Sequence, residues 1–396
     1  MKQGILTINA GSSSIKFALF AILPLANPIS PDAEISGQID GIGAQATKLI
    51  AKNKAGERIA DQLLNGEQIS HNQAFDDLLK WFTATQTGWE IVGVGHRVVH
   101  GGDLYAEPTL INQQVLDHLT GFIPLAPLHE PHNVAGIRAL QALLPSVPQI
   151  ACFDTAFHRS QPKVAQTFGL PRALTDEGIK RYGFHGLSYE FIARTLPEHT
   201  AKADGRVIVA HLGNGASMSA MVGRKCKAST LGFSTIDGLM MGTRCGNLDP
   251  GVVLHLMETK GWGVKEMTRM LYKESGLLGV SGISQDMRTL LASDKPEAEE
   301  AVNLFCYRIV REIGSLVAAA GGLDAMVFTG GIGEHAAEVR RRVCAQLEWL
   351  GIRINNDANQ ADQIHISAKE STIDVMVIPT NEELMMALHV QKLLSL

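Results

Sequence analysis

Cysteine is scarce in this chain, and the few present form no pattern. Its 396 residues hold five cysteines (Cys152, Cys226, Cys245, Cys306 and Cys344), odd in number and without a C-x-x-C pair. That spacing argues against a disulfide or zinc framework and reads as the reduced thiols of a cytoplasmic protein. An excess of basic charge is missing too. The formal net charge of -5 leaves no footprint for nucleic acid, and no acidic run marks a disordered tail. Long apolar runs are also absent. Residues 17–26 are apolar but interrupted by Pro24 and too short to span a bilayer. They follow a polar Gly/Ser turn, so they read as a buried strand and not a signal peptide. No G-x-x-x-x-G-K-S/T sequence occurs, which excludes a P-loop.

What is present is ordinary in bulk and specific in detail. A hydrophobic fraction of 45% and a charged fraction of 19% suit a globular protein, and the length suits two domains. Residues 5–9 read as a strand, 10–13 as a Gly/Ser turn and 14–20 as a returning strand in which Ile15, Phe17 and Leu19 share a face. The same unit recurs near the midpoint, with strands at 207–210 and 217–222 around a Gly/Asn turn. Two such hairpins about two hundred residues apart suggest a duplicated architecture. Residues 301–320 carry helical spacing through Val302, Phe305, Ile309, Ile313, Leu316 and Val317, and Gly321 and Gly322 stop the helix. A buried strand at 324–329 leads into a glycine segment and a second helix. A last strand at 373–379 precedes a C-terminal helix opened by Thr380 as N-cap with Glu383 three residues on. Strands alternating with helices make the fold class α/β.

Three turns carry phosphate-type chemistry. In the first, Gly11 turns the backbone and leaves amides to face an anion, Ser12 and Ser14 offer hydroxyls, and Lys16 a charge. Asn9 offers Mg²⁺ a hard oxygen. In the second, His211, Leu212, Gly213, Asn214 and Gly215 form a similar cradle. In the third, Gly331, Ile332, Gly333, Glu334 and His335 fit a dinucleotide fingerprint, but residues 351–355 lack its acidic partner. Each also fits a plain hairpin or helix start. Arg97 and Arg244 stand among small residues, where a guanidinium grips a carboxylate or phosphate or makes a structural ion pair. His96 and His100 are spaced as in a zinc helix, but Val98 and Val99 favour a strand. Asp154, His129 and His185 are candidate polar groups of a cleft, or hydrogen-bonded core residues, and Asp286, Met287, Arg288 and Glu382 are equally open.

Taken together, INAGSSSIKF (8–17), GHRVVHGG (95–102), PLAPLHEPHN (124–133), FDTAFH (153–158), RYGFHGLSY (181–189), HLGNGASMSA (211–220), MGTRCGNLDPG (241–251), TGGIGEH (329–335) and PTNEEL (379–384) resemble the acetate kinase family, including its propionate-preferring members. The resemblance runs over essentially the whole chain. It implies two duplicated α/β domains of the acetate and sugar kinase, Hsp70 and actin superfamily (ribonuclease H-like), with nucleotide in the interdomain cleft. The expected division is 1–155 plus 386–396 and 156–385. It assigns Mg²⁺ (or Mn²⁺) to Asn9 and Glu382, and ATP or ADP to Ser12, Ser14, Lys16, His211 to Gly215, Asp286 to Arg288 and Gly331 to His335. Arg97 would hold the substrate carboxylate, with Val99, Leu128 and Phe184 as the apolar pocket. His185 and Arg244 would stabilise the phosphoryl group, and Asp154 would be an acid/base or an orienter. The expected partners are acetate or propionate and ATP, with no nucleic acid and no membrane, in a homodimer. One departure is Thr235, where acetate kinases commonly have proline, and it bears on the choice of substrate.

A carboxylate is already a nucleophile at neutral pH, so direct in-line transfer asks the protein for positioning and charge stabilisation. An ATP-switched binding protein of the same superfamily would share the turns but have no use for Arg97, His185 and Arg244 together.

Overall fold

The computed structural model describes residues 1–11, 13–23, 29–66 and 68–396. Ser12 and residues 24–26 of the apolar run lie outside the described residues. The chain divides into two units, Met1–Ala156 with Asn381–Leu396, and Phe157–Thr380.

Unit 1 is built on eight strands: β1 (Lys2–Ala10), β2 (Ser14–Ala21), β3 (Ile35–Asp40), β4 (Lys48–Asn53), β5 (Arg58–Leu63), β6 (Trp89–Val98), β7 (Thr109–Leu110) and β8 (Gln149–Phe153). Their order in the sheet is β5-β4-β3-β2-β1-β6-β8-β7. β1 pairs antiparallel with β2 and parallel with β6, and β6 runs parallel to β8. One face packs on helices α1 (His71–Thr85) and α3 (Glu130–Leu143), and α2 (Gln113–Gly121) packs on α3. Ser70 caps α1 by accepting from the Gln73 amide, and Ala74, Phe75, Leu78, Trp81 and Phe82 fall on one buried stripe. They meet Ile15, Phe17 and Leu19 of β2, the face that alternation assigned inward. Filling Phe75's place with alanine would cost about 3–5 kcal/mol. Ala18, on the opposite face, is buried as well, while Lys16 is exposed.

The C-terminal helix Glu382–Leu394 covers the other face at β1 and β6. Gly93 and Gly95 make room for it, since a Cβ on Gly93 would come within 2.7 Å of Val390. The return into unit 1 falls at Asn381, five residues ahead of residue 386, because this helix docks as one piece. Its cap is Asn381, whose side chain accepts from the Leu384 amide at 2.9 Å. Thr380, expected there, instead spends its backbone amide on Glu334.

Unit 2 holds β9 (Arg206–Leu212), β10 (Ala216–Val222), β11 (Lys225–Ser229), β12 (Ala325–Thr329) and β13 (Asp374–Val377) in the order β11-β10-β9-β12-β13. β9 is antiparallel to β10, β10 to β11, and β9, β12 and β13 are parallel. The run β3-β2-β1-β6-β8 of unit 1 has the same order and directions, so the duplication extends from the hairpins to five strands. Helix Pro296–Ala320 buries Val302, Phe305, Ile309, Ile313 and Leu316, starts at its proline and ends at Gly321 with φ +77°. Among the described residues no helix is long and apolar enough to cross a membrane.

Candidate active site

In unit 1 the site forms where β1, β6 and β8 end side by side. Arg97 sits near the end of β6, Asp154 just past β8 and Asn9 near the end of β1, so sheet order brings together residues far apart in sequence. Arg97 donates from Nε and Nη2 to the two Asp154 oxygens at 3.0 and 2.5 Å, and from Nη1 to Asn9 Oδ1 at 3.1 Å. Glu382, first residue of the C-terminal helix, lies 3.8 Å from Arg97 Nε. Burial works against the guanidinium charge, but Asp154 and Glu382 more than offset it and raise the Arg97 pKa. Burial raises the Glu382 carboxyl, with Arg97 pulling the other way. Both oxygens of Asp154 are engaged by Arg97. Lys16 is the cross-strand partner of Asn9 and stands exposed. Ser14, half-buried, opens β2. Gly11 donates to the Ser14 carbonyl at 2.8 Å, so its amide is used within the turn and does not face an anion.

The loop after β6 is held one amide at a time. Val99 N–H goes to Asn133 Oδ1, His100 N–H to Glu130 Oε2, Gly101 N–H to Thr155 Oγ1 and Gly102 N–H to His100 Nδ1. Asn133 also donates to the Ala10 carbonyl at 3.0 Å, and His71 Nε2 lies 2.8 Å from the Gly11 carbonyl. The first turn of α3 thus sets the loop after β6 and the Asn9–Gly11 turn against each other. Val99 is buried and Leu128 half-buried just ahead of α3. Burial pushes the Glu130 carboxyl up to about 8, with the His100 amide opposing and Asp154 adding to the rise. His96 is on a strand, bonded to Gln149 and pushed down to about 4 by burial, which fits a core residue.

Unit 2 carries the rest. The hairpin turn is shorter than expected: His211 and Leu212 remain in β9, Leu212 pairs with Ala216, and Gly213 to Gly215 make the reversal. The Gly242 amide donates to the Asn214 carbonyl and brings the Arg244 loop onto the turn. A Cβ on Gly215 would lie 3.0 Å from Arg244 Nη2 and 3.4 Å from His185 Nε2, so glycine there lets both groups converge. Arg244 Nη1 donates to the Thr235 carbonyl at 2.7 Å, an acceptor that proline would also supply. Phe184 is buried beside His185, its carbonyl bonded to His158 Nε2.

The glycine segment is itself a helix, Gly330–His335. The Gly330 amide donates to the Glu334 carboxylate at 2.8 Å, so that amide is used within the segment. Buried Arg340 donates to the Gly333 and Glu334 carbonyls and fixes the segment from behind. Gly331 and His335 face solvent, while Gly333 is buried. Asp286 caps helix Met287–Leu291 and pairs with Arg288, which holds its carboxyl at about 2. Met287 is 3% exposed, so of these three side chains it is the buried one.

A family profile described as the Acetokinase family matches residues 4–388. The chain belongs to the acetokinase family. An acetate kinase of Rhodopseudomonas palustris is 53% identical over 397 residues, covering 99% of both chains. A propionate kinase structure from Francisella tularensis superposes with TM-score 0.91 at 37% identity, over 98% of this chain and 99% of that one. A Porphyromonas gingivalis acetate kinase gives TM-score 0.88 at 35% identity, over 99% and 100%. Sequence reasoning on this acetokinase missed Asn133, Glu130, Ser217, Tyr189 and Arg340, which act on other protein groups. The available signal was polar residues inside otherwise buried motif segments.

Proposed function

We propose that the chain is an acetate kinase, a phosphotransferase with a carboxyl acceptor that interconverts ATP and acetate with ADP and acetyl phosphate. The observation that carries this reading is Arg97, aimed by Asp154 and flanked by the oxygen ligands Asn9 and Glu382. Two hard oxygens suit Mg²⁺, which takes its remaining positions from phosphates and water. Among the described residues no group of three or more His, Cys, Asp or Glu side chains gathers as an alternative metal site. When bound there, the ion would neutralise phosphate charge.

The chain's own residues divide the remaining work. Arg97 holds the acetate carboxylate, with Val99, Leu128 and Phe184 against its methyl group. Lys16, the His211–Gly215 turn, Asp286, Arg288 and the Gly331–His335 segment contact ATP, with Ser14 beside the first phosphate turn. One carboxylate oxygen attacks the γ-phosphorus in line. The bond to the bridging oxygen breaks, and its electron pair leaves on ADP. No base is required, since acetate is already ionised. Arg244 and His185, converging over Gly215, stabilise charge on the transferring group.

Hydroxylamine trapping of acyl phosphate with Mg-ATP and acetate, propionate or butyrate in separate reactions tests this. Product with acetate at the highest kcat/KM is expected, and higher kcat/KM with propionate would move the assignment to propionate kinase, the alternative kept open by Thr235. No product despite ATP binding would overturn the chemistry.

A homodimer is supported by helix Pro250–Lys260, which buries none of its residues although Val252, Leu254 and Met257 are apolar and 39%, 67% and 41% exposed. Leu254→Glu should give a monomer in sedimentation. All five cysteines are free, in keeping with a reducing cytoplasm.

A further inference from the structure

His185 and His211 are tied together by two crossed serine bonds. His185 precedes the helix Gly186–Thr195, so Ser188 and Tyr189, three and four residues on, lie on its side of that helix. His211 and Ser217 are direct partners across β9 and β10, so they too share a face. The pairs interlock. His185 Nδ1 lies 2.8 Å from Ser217 Oγ, Ser188 Oγ lies 2.8 Å from His211 Nδ1, and the imidazoles stack at 4.5 Å between centroids. Tyr189 Oη is 2.5 Å from Ser217 Oγ. Ser188, Tyr189 and Ser217 are wholly buried, and His185 is held in the left-handed region at φ +58°. A strained backbone at a site residue persists only where neighbours over-determine it.

Ser217 has one proton and two partners. The phenol is the better donor and the alcohol the better acceptor, so Tyr189 donates to Ser217 and Ser217 donates to His185 Nδ1. A lone pair on Nδ1 places the imidazole proton on Nε2. Nε2 is the atom that shares the space over Gly215 with Arg244 Nη2. Two donors meeting at one point suit an anion between them.

We propose that Ser217 and Tyr189 are positioning residues that fix His185 as a neutral imidazole with its proton on Nε2, already set as a donor to the transferring phosphoryl group. The catalytic part of this inference rests on the role given to His185 above.

The test uses the full chain and five variants: Tyr189→Phe, Ser217→Ala, His185→Ala and the two double variants with His185→Ala. Tyr189→Phe keeps the packing and guards against a folding defect in Ser217→Ala. Each single variant at Tyr189 or Ser217 should lower kcat roughly tenfold, one hydrogen bond's worth, with both KM values within about twofold. In the His185→Ala background neither should cost anything further. Imidazole ¹⁵N shifts at neutral pH should show the Nε2–H form in the wild type and a mixture in Ser217→Ala. An Nδ1–H form in the wild type, or losses that multiply with His185→Ala, would overturn the proposal. Unchanged turnover in His185→Ala would remove the catalytic part alone, since the spectrum reads the tautomer independently of activity.

Discussion

Asp154 meets Arg97 with both carboxylate oxygens, at 3.0 and 2.5 Å, from a position 1% exposed at the end of the neighbouring strand. A planar fork gripped on one edge has a single remaining direction, and Arg97 Nη1 points along it to Asn9 Oδ1. The pair is 57 residues apart in sequence and one strand apart in the sheet. Its orientation is therefore a property of β6 and β8 running in register.

Asp154→Asn keeps the shape but turns one acceptor into a donor facing a donor. Losing a charge-assisted bond costs about 2 kcal/mol, so kcat/KM for acetate should fall roughly thirtyfold. Steady-state kinetics at saturating ATP check this. Arg97→Lys should not restore function, because an ammonium cannot occupy both oxygens and still reach Asn9. Wild-type kcat/KM in Asp154→Asn would mean Arg97 needs no orienter.

Asn133 acts as a side-chain peptide group between strands that no longer pair, accepting from Val99 and donating to Ala10. Asn133→Ala leaves a buried N–H and C=O unmet, for a stability loss of about 2–4 kcal/mol in urea unfolding. Asn133→Asp keeps the Val99 bond but sets an oxygen against the Ala10 carbonyl. It should raise KM for acetate more than KM for ATP.

Glu130 makes stability pH-dependent with a definite sign. Its carboxyl rises from an ordinary 4.5 to about 8 in the fold, chiefly through burial. Between those values the folded chain holds a proton that the unfolded chain has released. Stability therefore falls as pH rises from about 4.5 to 8, by at most about 3 kcal/mol by pH 7. Urea midpoints at pH 5 and pH 8 should show Glu130→Gln with the shallower decline. Glu382, also raised, keeps part of the slope in both proteins.

Thr235→Pro separates two jobs at one residue. The carbonyl that receives Arg244 survives, while the hydroxyl is lost and the wall becomes apolar and rigid. Turnover with acetate should stay within about threefold. The acetate-to-propionate ratio of kcat/KM should rise by up to about tenfold, the scale of one methylene in a pocket. An unchanged ratio would remove Thr235 from the substrate wall.

The sequence by itself determined the elements and their kind. Alternation put Ile15, Phe17 and Leu19 on one buried face, glycines marked the turns at Gly11 and Gly213 to Gly215, and 3.6-residue spacing marked the helix ending at Gly321. These are local facts, set by backbone sterics and by which side of an element must leave water. Motif order along the chain also placed it in its family.

Tertiary structure alone decided which polar groups face one another. Asp154 carries no sign in the sequence that both its oxygens lie on Arg97. Thr380 reads as a cap until Asn381 takes the Leu384 N–H. Ser217 carries no signal at all until β9 sets it opposite His211 and the fold brings His185 to it. Hydrogen bonds are short and directional, so a shift of about an ångström changes the partner. Hydrophobic periodicity tolerates such shifts, which is why it survives in one dimension and the proton arrangement of the site does not.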